Sequence, residues 1–185
     1  MMRGVPKTDP AVLTALIEEA CRRSGLVWLQ IERDDRAYAA WHAWHDGAVH
    51  VVTGGAEQPV PGLVDACAGA GRVTVTVPSK ETRGRLVSWV AKPSILAPGT
   101  QTWAAAADAL HATRLNAPDG EEQPARWARE SVLVRLEPTA EVPEHPGAVP
   151  TGSHAAPPAP SPATTRGKLP FVLGRRARSA KGQRR

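Results

Sequence analysis

Hydrophobic positions recur at helical spacing near the amino end of the chain and at every second residue through much of its middle. Val12, Leu13, Leu16, Ile17 and Ala20 fall on one helical stripe. Asp9 is suited to cap that helix, and Pro10 stands in its first position, where a missing N–H breaks no bond. Gly25, after the basic last turn of Arg22 and Arg23, supplies the stop. The pattern predicts a helix over 10–23.

From there the period changes to two. Residues 26–32 (LVWLQIE) read as a strand turning at Asp34-Asp35. Asp46-Gly47 separates Tyr38–His45 from Ala48–Thr53, two runs of β-formers, and predicts a tight hairpin. The stretch through Gly71 reads as a loop with a short helix over 63–68. Val73, Val75 and Val77 alternate with Thr74 and Thr76, as in a strand with one buried face. After the polar turn 79–84, residues 85–91 make a further strand, expected to stop at Pro93. A second helix opens at Gly99-Thr100 and carries Trp103, Ala106, Ala107, Leu110 and Arg114; residues 116–124 read as a polar loop, and 131–136 as the last strand. Sequential strands joined by tight turns favour an antiparallel sheet, and about six of them close most easily as a small barrel.

Composition changes beyond Pro138. Pro, Ala, Ser, Thr and Gly dominate as far as Thr165, with too little apolar area to offset the entropy of ordering, so 139–165 is expected to be a disordered linker. Residues 166–185 carry eight basic residues and no acidic one, which leaves fifteen basic against eighteen acidic in the rest of the chain. The net charge of +5 is thus a property of the tail. The expected folded domain, 9–138, has no dense basic run to follow a phosphate backbone, so an acidic partner or nucleic acid would be met through Arg166–Arg185. Two cysteines without metal-site or disulfide spacing, no apolar run near the roughly 20 residues of a membrane span, and no secretory pattern lead us to expect a cytoplasmic protein without a membrane association.

Several motifs have chemistry to offer. Trp41-His42-Ala43-Trp44-His45, with His50 across the hairpin, suggests metal binding, but residues three apart on a strand face opposite ways. A two-residue turn sets His50 opposite Ala43 and His42 opposite Val51, and no metal site is expected. Thr53-Gly54-Gly55 can bring backbone N–H groups close to an anion, although Glu57 opposes one. Ser79, Lys80 and Arg83 put hydroxyl and cationic donors on one turn. Arg126-Trp127-Ala128-Arg129 suggests an arginine stacked on tryptophan or a ring contact to a ligand. The familiar P-loop, GxSxG and HExxH signatures are absent, and no catalytic acid or base stands out.

The order of first helix, WHAWHDGAVHVVT, RVTVTV, RLVSWVAK, TWAAAADAL and SVLVRLEP resembles the pyridoxamine-phosphate-oxidase-like split barrel, a fold of flavin and deazaflavin proteins, over about residues 9–138. The resemblance implies a mainly β, six-stranded antiparallel split barrel with two flanking helices and a disordered tail. It implies FMN or F420 as cofactor, oxidoreductase-type chemistry and a homodimer with shared cofactor sites. It assigns the cofactor phosphate to a threonine closing the strand after the hairpin, matched by Thr53 and followed by Gly54, and to a basic residue shortly after. Glu57 and Gln58 stand where that residue is expected. Ser79, Lys80 and Arg83 are then the substitutes, with Trp127 as a ring contact. The other reading is a cofactor-free barrel serving as an interaction module, its basic tail docking the partner.

Overall fold

The two edge strands of the sheet are consecutive in the chain, and this decides its form. In the computed structural model, which describes residues 9–32, 36–69, 71–82 and 84–149, α1 (Pro10–Arg23) leads into β1 (Val27–Ile31), β2 (Ala37–Ala40), β3 (Ala43–His45) and β4 (Ala48–Thr53). Next come α2 (Leu63–Ala68), β5 (Val73–Pro78), β6 (Arg85–Leu96), α3 (Gln101–Thr113), a 3₁₀ turn at Gly120–Glu122, α4 (Gln123–Glu130) and β7 (Val132–Pro138). Every pairing is antiparallel, in the order β2-β1-β5-β6-β7-β4-β3. Only Trp41 and His42 separate β2 from β3, so the sheet must curl until its two edges nearly meet. The result is a mainly β half-barrel with flanking helices.

The curl creates two hydrophobic layers. Inside it, Leu29, Val51, Val75, Trp89 and Leu136 pack with Ile17 and Cys21 of α1 and Leu63 of α2. On the outer face of β3, β4 and β7, Ala43, Val52 and Leu133 pack under Trp103, Ala106 and Leu110 of α3 and Trp127 of α4. β4 lies between the layers and is buried at all six positions, consistent with its nearly unbroken apolar run. A fully buried side chain of this size contributes about 1.5–3 kcal/mol, so both layers stabilise the fold.

Helix starts obey the expected chemistry: Asp9 accepts from the Ala11 N–H, and Thr100 Oγ1 from the Trp103 N–H. At the hairpin tip Asp46 and Gly47 both have positive φ, 45° and 67°, the conformation of a type I′ turn that matches strand twist.

The structure departs from the sequence reading in four places. The strand expected over 38–45 breaks at Trp41-His42 and serves both edges, which gives seven strands where about six were expected. β6 continues through Pro93, because at Ala91 it exchanges β5 for β7 as partner and leaves an open edge where a missing N–H breaks no ladder. Part of the expected polar loop forms α4, with Pro124 in the first turn. The start of the expected linker lies along β6: Thr139 N–H donates to Val90 O, Val90 N–H to Glu141 O, and Glu144 bridges to Ser88. The expectations for Arg83, for residues 150–165 and for the tail Arg166–Arg185 lie outside the described residues.

Candidate functional site

The break between β2 and β3 forms a seam, and the seam is hollow. One cleft of about 440 Å³ is lined by Cys21, Ser24, Gly25, Trp41, His42 and Thr113 among others. A second, of about 390 Å³, shares Gly25, Trp41 and Thr113 and adds Arg114, Leu115 and Asn116. Trp41 therefore borders both, half-buried, and Leu115 beside it is 98% exposed. Arg22 and Arg23 at the end of α1 give the first cleft a basic margin, each engaged by a glutamate one helical turn earlier. His42 Nε2 lies 3.0 Å from the Cys21 carbonyl, while its buried Nδ1 has no partner among the described residues. Burial lowers the His42 pKa despite that backbone contact, so the ring is neutral near pH 7. Burial likewise pushes the Cys21 thiol up to about 12, which leaves it unreactive.

Beside the seam four donors converge on one carboxylate. Glu57, 5% exposed, accepts through Oε1 from Trp127 Nε1 at 2.9 Å, Arg126 Nη2 at 2.7 Å and Gln123 Nε2 at 3.1 Å. Its Oε2 accepts from Arg114 Nη1 at 2.6 Å. Arg114 also lies over the Trp41 and Trp127 rings, 5.0 and 5.8 Å from their centroids. Burial alone would raise the Glu57 pKa, but the bonds from Trp127, Arg126 and Arg114 outweigh it and hold the carboxyl below its ordinary value. Gly55 makes this loop fit: its φ is +62°, and a Cβ there would meet Glu130 O at 2.5 Å.

Most of the residues expected to hold a phosphate are engaged within the fold. Thr53 is buried, with its hydroxyl donating to Gln58 O and accepting the Val60 N–H. Gly54 turns its carbonyl to the Glu57 N–H and the Ser131 hydroxyl. Trp127 is fully buried with its N–H on Glu57. In the β5–β6 turn Ser79 Oγ accepts the Thr82 N–H, and Lys80 is exposed. No described contact joins Ser79 or Lys80 to Thr53, Gly54 or Trp127. The Thr53 loop does not fit a cofactor phosphate, because its hydroxyl is committed and Glu57 brings an internal negative charge.

Two features lie beyond the sequence reading. In the sequence Glu57 is only an obstacle to an anion; two arginines and a tryptophan from 57 to 70 residues away give it another role, and no local pattern joins them. The histidines also sort differently. Ala43 does pair with His50, but His45 shares Ala43's face, and the His45 and His50 rings lie 6.0 Å apart. The two-residue turn alone contained that signal.

With curled sheet, edge-to-edge seam and outer helical layer in place, the fold is that of a split barrel. The heme storage protein HutZ from Vibrio cholerae is similar in structure, with a TM-score of 0.50 and 14% identity, over 68% of this chain and 89% of its own. A conserved hypothetical protein from Mycobacterium tuberculosis also aligns at TM-score 0.50 with 16% identity, over 75% of this chain and 85% of its own. No protein-family model and no curated protein matches the sequence. Among the described residues no helix is long and apolar enough to cross a membrane.

Proposed function

We propose that the chain binds a planar, anionic cofactor, FMN or F420, at the seam, and works as a cytoplasmic homodimer of oxidoreductase type. The observation that carries this reading is Trp41, a half-buried ring bordering two adjoining clefts of about 440 and 390 Å³, of the size that takes a ring system. When bound, a flavin or deazaflavin supplies the hydride chemistry. The chain's part is to bind and orient it: Trp41 offers an apolar ring face, and Arg22 and Arg23 a basic margin. The phosphate falls to Ser79, Lys80 and Arg83 in place of the Thr53 loop. Trp28 pairs with Thr76, so the start of β1 at the cleft runs beside the end of β5, which leads into that turn.

Fluorescence titration of the full-length protein with FMN, and separately with F420, tests the proposal. Saturable micromolar binding that weakens in Trp41→Ala and in the Lys80→Ala, Arg83→Ala pair is expected; no binding of either cofactor overturns it. One observation favours the second reading, a cofactor-free interaction module: the internal carboxylate of Glu57 takes up the donors of this region. On that reading neither cofactor binds, and deletion of 166–185 removes the affinity for an acidic partner or nucleic acid together with its salt dependence.

A further inference from the structure

Where α3 begins, the outer face of the sheet changes from apolar to polar. Register sets Leu96, Leu133 and Val52 side by side under the body of the helix. The next row along the strands is Ser94, Arg135, His50 and Ala43. A hollow of about 340 Å³ opens over that row, lined by His45, Asp46, His50, Gln101, Thr102 and Arg135 among others.

Its donors are unevenly satisfied. His50 is 2% exposed, lines the hollow, and its Nδ1 has no partner among the described residues. Thr100 takes the Trp103 N–H with its hydroxyl and the Ala104 N–H with its carbonyl. Gln101 and Thr102, the first two residues of a thirteen-residue helix and so at its positive end, line the hollow. Arg135 reaches Asp46 through Nη1 to Oδ2 at 3.0 Å and through Nη2 to the backbone carbonyl at 2.9 Å. That carboxylate sits at the rim, its side chain 74% exposed, and can turn into solvent without leaving a buried charge.

We propose that this hollow is a binding site for the oxyanion of a small ligand, a carboxylate or phosphate group, received by Arg135, His50 and the first turn of α3. It lies at the other end of α3 from the seam and is independent of the cofactor reading. The guanidinium offers a planar fork to two oxygens, and the helix start adds backbone donors without a side-chain charge. His50 couples the site to pH. Burial, Arg135 and His45 lower its pKa to about 4, against the weaker pulls of Asp46 and of a backbone contact with Ala48, and a bound anion favours the protonated ring. The titratable side chains facing it are His45, Asp46 and Arg135; Lys92 and Glu137 pair one step further out, and α3 brings none to the hollow.

Titration of the full-length protein with inorganic phosphate, and in parallel with acetate, followed by NMR, tests the site and separates the two ligand chemistries. Expected are saturable shifts of the Gln101 and Thr102 amides and of the His45 and His50 rings, with the His50 pKa displaced upward. Arg135→Met should weaken binding about tenfold or more, the loss of one strong charge-assisted contact. Arg135→Lys, which keeps the charge without the fork, guards against misfolding of the first variant and should bind more weakly than the unaltered chain. Absence of saturable shifts with either anion, or affinities unchanged in both variants, overturns the proposal.

Discussion

The two ends of α3 treat charge in opposite ways. At its C-terminal end Arg114 joins Arg126, Gln123 and Trp127 on Glu57, and the anion they bind belongs to the chain. At its N-terminal end Arg135, two histidines and the first helical turn surround a hollow whose carboxylate, Asp46, stands exposed at the rim and is not buried among its donors. Both arrangements suit the helix dipole, with a cation near the negative end and anion-seeking groups at the positive end. The difference teaches that an arginine cluster becomes structural or receptive according to whether the chain supplies the counter-charge from within.

The largest effect should come from removing that internal charge. Glu57→Gln leaves Arg114 without its counter-charge in a mostly buried setting, while Arg126 keeps Asp119, and is expected to cost about 3 kcal/mol; denaturant unfolding measures it, and a loss below about 1 kcal/mol would make the two ends alike. The open end should show itself through pH. His50, with a pKa of about 4, binds its proton less readily in the folded than in the unfolded state. Its contribution is complete above the ordinary histidine value of about 6.5 and is lost as pH falls toward 4, by about 3 kcal/mol in all. His50→Gln should flatten that part of the stability profile; His42, also lowered by burial, retains a share of the slope. The Glu57 carboxyl is depressed instead, so its contribution persists through that window and fades only below the ordinary carboxylate range.

Smaller effects sharpen the contrast. Trp127→Phe keeps the ring and removes one of four donors to Glu57, with an expected loss of about 1–3 kcal/mol by the same unfolding measurement. Asp46→Asn cuts an exposed ion pair and should change stability by less than about 1 kcal/mol, yet it frees Arg135 and should raise phosphate affinity at the open end. An affinity unchanged by that substitution would mean that Asp46 does not compete for the guanidinium.

Much of this architecture is legible in the residues. The first helix, the Asp46-Gly47 hairpin, the alternating valines of β5 and the Thr100 cap are local signals, and local physics carries them. The break at Trp41-His42 is not, since β-forming side chains run through it and only the sheet order reveals a change of edge. Pro93 misleads for a related reason: proline stops a strand flanked on both sides, and β6 has lost one neighbour there. The candidate site is less legible still. Thr53 and Glu57 stand out in the sequence, but the partners that fix their roles come from the loop at 58–60 and from residues beyond 113, contacts that tertiary packing alone creates.

The short edge strands carry a consequence for how the molecule behaves in a crowded solution. β2 has four residues and β3 three, so neither offers a passing chain a long row of unpaired backbone groups. Residues 139–144 meanwhile cover the flank of β6 that β7 leaves bare. Long exposed edges are templates for strand addition and aggregation; by breaking one strand in two at Trp41-His42, the sequence forms its seam and blunts both edges with the same two residues.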